Sequence, residues 1–556
     1  MPAPAHIEVR DLKLVYRTGP QTETTAVDMV SFSVAKGETL GIVGESGCGK
    51  SSLARAFLAY TRPGARIAGG SVNVAGLDVL KLKPDQLLQY RGRRAAMVPQ
   101  NPLSALTPHL TIGQHLVELI RLHKAAGGLT PKKKALELLA AMELPDPAAI
   151  YDRYPHQLSG GQRQRVVIAA ALVAEPELII LDEPTTALDK TVESQVLDLV
   201  SRLQKRTGTT LIYVSHDLNV IARMCERVLV MKDGKVLEDG PTGEVFTRPR
   251  TDYARTLIAA IPKLETAKSS NVAPFHGQEP ALSIEKLDFS YGRPPGWNPL
   301  RRFFPRPALP PTLADISLAI PPGTTLGVVG ESGSGKSTLA ALVAGLVAGN
   351  GGEIRFDGQI LYGLAPQRDR DLRRRVQMIF QDPASSLNPQ HTVEQLIARP
   401  LQVFFGMSRA AARERTVELL TELGLGATFL DRSPRQLSGG QQQRVAIARA
   451  FAGKPDLVLC DEVTSALDVT VQASVLGVMK RLQREHGTTY LFISHDLPVV
   501  AEMSDQILVL EKGRVRDYGG TTAVLSNPSS DYTNNLLAAF ATASQQLTNR
   551  TMKHAS

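Results

Sequence analysis

Residues 7–16 (IEVRDLKLVY) alternate apolar and polar positions, the period of a strand with one buried face, and residues 282–291 (LSIEKLDFSY) repeat that alternation in register. Tyr16 thereby corresponds to Tyr291. A second kind of run is apolar without alternation: AAMVPQ ending at Gln100, LIIL at 178–181 and LIYVSH ending at His216, each with a later counterpart in VQMIFQ ending at Gln381, LVLC at 457–460 and LFISH ending at His495. A near-continuous apolar run suits a strand covered on both faces, as in a parallel sheet. Polar-faced helical stretches are expected at about 110–155 and 391–435. A longer helix is expected after each LSGGQ, over RQRVVIAAALVA and QQRVAIARAFA. The pattern runs through the chain twice. It predicts a duplicated α/β protein.

The densest chemistry follows the run ending in Gly-Ile-Val43. Gly44, Glu45, Ser46, Gly47, Cys48, Gly49, Lys50 and Ser51 have the G-x-x-x-x-G-K-[ST] spacing of a phosphate-binding loop, with Ser52 opening a helix. The glycines let successive backbone N–H groups turn toward one anion. Lys50 can reach the outer phosphates, and the Ser51 hydroxyl can ligate Mg²⁺. The helix start adds a favourable dipole. The competing view, a plain strand-to-helix turn, gives way because the same words return as Gly330, Glu331, Ser332, Gly333, Ser334, Gly335, Lys336, Ser337 and Thr338.

The apolar runs at 178–181 and 457–460 each end in two acids, Asp182-Glu183 and Asp461-Glu462. Acids at the carboxyl end of a strand lie where open α/β sheets bind ligands. Asp182 can hold a Mg²⁺ shell, and Glu183 can orient or deprotonate an attacking water. Ala187-Leu188-Asp189 and Ala466-Leu467-Asp468 follow. His216 and His495 each lie 33 positions after their glutamate, and that fixed interval favours a γ-phosphate contact over a structural strand-end histidine. Ser159-Gly160-Gly161-Gln162 and Ser438-Gly439-Gly440-Gln441 sit at helix starts. Alone they would be caps; repeated, they are read as a second anion site. Tyr16 and Tyr291 can stack on a purine or close the core at a strand end, and the residues leave both open.

These motifs together resemble a tandem pair of nucleotide-binding domains of the ATP-binding-cassette family, over nearly the whole chain. The resemblance implies two P-loop NTPase domains, each with a helical subdomain and an antiparallel β subdomain, at 1–262 and 281–543, with a linker at 263–280 and a flexible tail at 544–556. It implies an ATPase using ATP and Mg²⁺, with Glu183, His216, Glu462 and His495 catalytic. It places Tyr16 and Tyr291 at adenine, Ser159 and Ser438 in signature motifs, and Ser51, Gln100 and Asp182, or Ser337, Gln381 and Asp461, around the metal. In the family two cassettes close head to tail, so Lys50 is expected to share an ATP with Ser438, and Lys336 with Ser159. Gln381-Asp-Pro-Ala-Ser-Ser-Leu-Asn-Pro389, its looser copy at 100–108, and the tails at 248–262 and 527–537 resemble the oligopeptide/dipeptide/nickel importer branch. The departures are Cys48 in the first loop, Gln443 where arginine is usual after the second signature, and Val463 where proline follows the acids.

Composition narrows the partners. The chain has 556 residues, 43% of them hydrophobic, and no stretch near the ~20 apolar residues needed to span a bilayer. The first residues show no secretion signal, and three scattered cysteines make neither a disulfide framework nor a metal site. A cytosolic protein is expected, peripheral at the inner membrane. Two permease subunits and a periplasmic or extracellular solute-binding protein are its implied partners. The net charge of +9 resides in clusters at 132–134, at Arg301, Arg302 and Arg306, and at Arg368, Arg370 and 373–375. These are read first as solvated faces, then as surfaces near a membrane or permease, and no nucleic-acid module is expected. The alternative is a soluble tandem-cassette translation factor, which needs a long charged linker where this chain has a short one. The Pro/Arg-rich stretch at 292–311, with the sole tryptophan Trp297, is either a partner loop or a tolerated insertion.

Overall fold

The computed structural model describes residues 5–17, 22–185, 188–262, 279–291, 311–349, 351–361, 363–464, 467–538 and 540. Most of the expected linker, nearly all of the 292–311 insertion with Trp297, Ala187, Ala466 and the tail at 544–556 lie outside them. Two compact units emerge, the first taking in the chain through Ile261 and the second most of the chain from Pro262 onward.

In the first unit, β1 (Ala5–Arg17), β2 (Glu23–Ala35), β4 (Ala65–Val74) and β5 (Leu77–Asp78) form an antiparallel sheet in the order β2-β1-β4-β5. Strands β3 (Thr39–Val43), β6 (Ala95–Val98), β7 (Leu178–Asp182), β8 (Thr210–Val214), β9 (Arg227–Lys232) and β10 (Lys235–Pro241) form a six-stranded sheet, ordered β10-β9-β3-β8-β7-β6. Only β10 runs antiparallel. The second unit repeats both sheets. Its antiparallel sheet contains β11 (Leu282–Phe289), β12 (Leu313–Ile320), β14 (Glu353–Phe356) and β15 (Gln359–Ile360). Its larger sheet contains β13 (Thr325–Val329), β16 (Val376–Ile379), β17 (Leu457–Asp461), β18 (Thr489–Ile493), β19 (Gln506–Glu511) and β20 (Arg514–Gly520).

The unbroken apolar runs have the expected cause. In β7, Leu178 and Ile180 enter the core beneath the antiparallel sheet, while Ile179 and Leu181 enter the core beneath the helices. Leu457 and Leu459 divide from Val458 and Cys460 in the same way along β17. A strand buried on both faces cannot spare a polar position until its end, where Asp182 and Asp461 stand. The polar-faced stretch at 110–155 resolves into helices Ile112–Leu122, Pro131–Ala141 and Pro147–Tyr151, and its counterpart into Val393–Phe405 and Arg409–Glu422.

One basic cluster departs in part from its reading as a solvated face, with Arg370 and Arg373 exposed as expected. Arg368 is buried and donates to the Val343 carbonyl at 2.7 Å, and burial holds its guanidinium below its usual range. Arg375 pairs with Asp357 and Asp456, and Arg374 donates to the Gly453 carbonyl at 3.2 Å. Arg368, Arg374 and Arg375 thus bond carbonyls and carboxylates of neighbouring segments.

Candidate nucleotide-binding sites

Each phosphate loop leaves the carboxyl end of the strand that lies between β8 and β9, or between β18 and β19, at the centre of its sheet. Gly49 and Gly335 have φ of 102° and 103°. A Cβ at Gly49 would stand 2.0 Å from the Ala26 carbonyl oxygen, so only glycine lets the loop close there. At Gly47 and Gly333 a Cβ would meet nothing within 4 Å, so the middle of each loop borders open space. Lys50 and Lys336 are buried, and their ammonium groups fold back onto the loop. Lys50 Nζ donates to the Gly44 and Glu45 carbonyls at 2.6 and 2.8 Å, and Lys336 Nζ to those of Gly330 and Glu331 at 2.8 Å each. A cation held by loop carbonyls beside that space fits an incoming phosphate.

The loop serine meets the first acid. Ser51 Oγ donates to Asp182 Oδ1 at 2.8 Å, and Ser337 Oγ to Asp461 Oδ1 at 2.9 Å. Burial pushes both aspartates above the usual carboxylate range against the hydroxyls' opposing effect. Two hard oxygens brought together by a buried anion are the donor set Mg²⁺ takes. Arg55 adds a contact to Asp182 Oδ2 at 3.4 Å that the motif reading did not contain, and Ala341 stands at the matching place in the second unit.

The second acid sits differently. Glu183 and Glu462 have φ of 50° and 47°, in the left-handed region that non-glycine residues avoid, and their N–H groups donate to Val214 and Ile493 carbonyls. Each carboxylate gathers two residues expected elsewhere in the site, a glutamine expected at the metal and a histidine expected at the γ-phosphate. Gln100 Nε2 donates to Glu183 Oε2 at 2.7 Å, and His216 Nδ1 faces that oxygen at 3.2 Å. Gln381 Nε2 donates to Glu462 Oε2 at 2.7 Å, with His495 Nδ1 at 3.4 Å. Burial alone would raise Glu462, yet the His495 bond and charge hold it below its usual range. Burial alone would lower His216, and the Glu183 contact with the Asp217 charge instead raises it.

The remaining predicted residues lie at two other places. Tyr16 is half-buried and Tyr291 is 54% exposed, and their hydroxyls lie 3.2 Å from Ser52 Oγ and Thr338 Oγ1. Ser159 and Ser438 cap the helices Gly160–Leu172 and Gly439–Phe451. Each serine oxygen accepts from the N–H of Gln162 or Gln441, whose side chain returns to the serine N–H. The cap reading is thus present in both. Gly161 is needed locally, because a Cβ there would lie 2.4 Å from Val192 Cγ1. The departure assigned to Gln443 is corrected. Gln443 stands opposite Gln164, both buried, and the residue opposite an arginine is Gln442. Gln442 Nε2 donates to the Pro434 carbonyl at 2.8 Å, as Arg163 Nε does to Pro155, so the bond survives the exchange. Val463 is buried in the helical-side core. Cys48 is 6% exposed, and burial pushes its thiol up.

Sequence reasoning also missed a first-unit ionic cluster. Lys190 Nζ lies 2.8 Å from Glu193 Oε1 and 2.7 Å from Asp217 Oδ2. The second unit carries Val469 and Gln472 at the first two positions, a difference visible on comparing the halves.

Two phosphate loops, each with a paired acid and a histidine-facing glutamate at the end of a parallel strand, define a tandem P-loop ATPase. The ABC transporter family model matches residues 27–186 and 313–465, and the chain belongs to that family. The oligopeptide/dipeptide transporter C-terminal region matches residues 237–288. The chain is 40% identical over 537 residues to the peptidoglycan transport ATP-binding protein YejF of Agrobacterium fabrum, covering 96% of each. It is 38% identical over 563 residues to the glutathione import ATP-binding protein GsiA of Escherichia coli K12, covering 97% of this chain and 90% of that one.

Proposed function

We propose that the chain drives a bacterial importer of peptides or peptide-like solutes, glutathione-like conjugates among them, through ATP hydrolysis in both units. The observation that carries the substrate class is the oligopeptide/dipeptide segment at 237–288, supported by relatives named for glutathione import and peptidoglycan transport. No helix among the described residues is long and apolar enough to cross a membrane. We infer that the chain works with two separate permease subunits and a solute-binding protein, at the cytoplasmic face of the inner membrane, a reading supported by relatives named as transport and import ATP-binding proteins. The ribosomal alternative has no support in the family matches. We place the cassettes at 1–262 and 281–543, joined by 263–280 and followed by a tail at 544–556.

The roles follow from chemistry. The loop N–H groups with Lys50 and Lys336 bind phosphate. Ser51 with Asp182, and Ser337 with Asp461, hold Mg²⁺, which neutralises phosphate charge when bound. Glu183 and Glu462 take a proton from the attacking water, and His216 and His495 orient those carboxylates. Gln100 and Gln381 begin the segments that contact the permeases, so ligand state at the site and permease state bias each other.

Deleting the gene is expected to abolish uptake of a short peptide or toxic peptide mimic. The wild-type gene should restore it, and the Lys50→Ala, Lys336→Ala double variant should not. Normal peptide uptake in the deletion, with a sugar or metal defect instead, overturns the substrate class.

A further inference from the structure

In each unit a tyrosine from the C-terminal helical segment touches the phosphate loop. The Glu45 N–H donates to Tyr253 Oη at 3.1 Å, and the Glu331 N–H donates to Tyr532 Oη at 3.0 Å. That N–H belongs to the Gly44–Glu45 peptide, or to Gly330–Glu331 in the second unit. The carbonyl of the same peptide accepts the lysine ammonium, at 2.6 Å from Lys50 and 2.8 Å from Lys336. One peptide plane is thus clamped between a phenol at one end and the phosphate-binding lysine at the other. The glycine before it has φ of 149° or 151°. At such a glycine the backbone alone does not hold the plane. The ammonium polarises the carbonyl and strengthens the N–H as a donor, so the three groups reinforce one another.

The tyrosines are themselves held in place. Tyr253 lies on helix Asp252–Ala259, capped by Thr251, and the buried carboxylate of Glu238 on β10 accepts from the N–H groups of Arg250 and Thr251 at 2.9 and 3.2 Å. In the second unit Tyr532 lies in helical residues 531–538, and Asp517 on β20 accepts from Ser529, Ser530 and Thr533. Lys232 Nζ lies 4.8 Å from the Tyr253 ring centroid, a second tether in the first unit. The same relay in two units of different local sequence argues against an accident of packing.

We propose that Tyr253 and Tyr532 are positioning residues for nucleotide binding, each fixing one of the two loop peptides whose carbonyls hold the phosphate-loop lysine. The segment that marks the transporter branch is then a mechanical part of the ATP site. The inference rests on reading the loops as ATP sites, which a separate control checks.

The test uses the full chain and equilibrium binding of Mg-ATP. Tyr253→Phe and Tyr532→Phe each remove one hydroxyl, and each is expected to weaken binding at its own unit by about three- to tenfold, the effect of one such hydrogen bond. Turnover at saturating ATP should stay within about twofold, with an unchanged melting temperature without nucleotide. Unchanged affinity in both Phe variants overturns the proposal. So does a fall in melting temperature matched by equal losses of kcat and affinity. The Lys50→Ala, Lys336→Ala variant is the control: its loss of ATP binding upholds the loop reading whatever the tyrosines do, and its retention refutes that reading separately.

Discussion

Gln100 donates its side-chain amide to Glu183 Oε2, the oxygen that also faces His216 Nδ1. Gln381, Glu462 and His495 repeat the triplet. The glutamate is thereby aimed by two groups from different strand ends, which is how a base is held in one rotamer before a water arrives. Glu183→Gln and Glu462→Gln keep size and hydrogen bonding but remove the proton acceptor. Each is expected to lower ATP turnover of the assembled transporter steeply, by about a hundredfold if general-base catalysis carries the step, and to leave ATP binding intact. Phosphate release measured beside nucleotide binding checks both halves of the claim. A full rate in one of the two variants would show that the units are not equivalent.

The histidine contacts carry a pH signature. His216 is raised above its ordinary 6.5, because the Glu183 bond and charge overcome the opposing effect of burial. A raised group contributes stability fully below its unfolded value and loses it as pH climbs through the folded one. Glu462 is lowered from its ordinary 4.5, so its contribution is present above about 4.5 and lost as pH falls through the lowered value. The His216 contribution is therefore fully present below about 6.5, and that of Glu462 above about 4.5. His216→Gln should lower the first-unit melting temperature more at pH 6 than at pH 8.5, by the equivalent of about 1–2 kcal/mol at the lower pH. Calorimetry at the two values decides it, and equal losses would refute the charged pair.

The loop cysteine and its serine twin make opposite demands. Cys48 and Ser334 occupy matching buried positions, and the Ser334 hydroxyl has no hydrogen-bond partner among the described residues. The larger Cys48 sulfur accepts a long contact from Lys50 Nζ at 3.9 Å, whereas an unsatisfied hydroxyl costs about 1 kcal/mol or more. Cys48→Ser is expected to destabilise the first unit by about that amount, and Ser334→Cys to stabilise the second. Burial also predicts slow alkylation of Cys48 in the folded chain. Fast labelling would place the thiol at the surface.

Much of this site was legible because covalent spacing fixes it. A glycine-rich turn before Lys50 and an acid pair after a strand buried on both faces have few ways to fold. The duplication turned each ambiguous motif into a repeated one. Tertiary facts stayed hidden. Nothing in the word LIILDE says that Glu183 takes a left-handed φ, since that follows from the Val214 carbonyl one strand away. Arg368 looked like a surface charge until the Val343 carbonyl appeared beside it. Tyr253 marked a branch of the family, and its hydroxyl reaches a loop 208 residues earlier, a contact no local pattern encodes.

The half-buried Lys190 of the first unit supplies the last test. Lys190 bridges Glu193 and Asp217, and Glu193 is only 8% exposed, with burial pushing its carboxyl up. Removing the lysine alone leaves two carboxylates facing each other without their cation. Breaking a largely buried pair on one side is costly, so Lys190→Ala should destabilise the first unit by about 2–4 kcal/mol. The second unit has already replaced the arrangement, with Val469 and Gln472 at the two helix positions. Copying it as Lys190→Val with Glu193→Gln removes the cation and its more buried partner together and leaves Asp217, as the second unit keeps Asp496, and such paired exchanges are tolerated well. The double variant is expected to recover to within about 1 kcal/mol of the wild type, a coupling that calorimetry of single and double variants reads directly. Equal or larger loss in the double variant would show that Lys190 stabilises through packing of its stem and not through the pair.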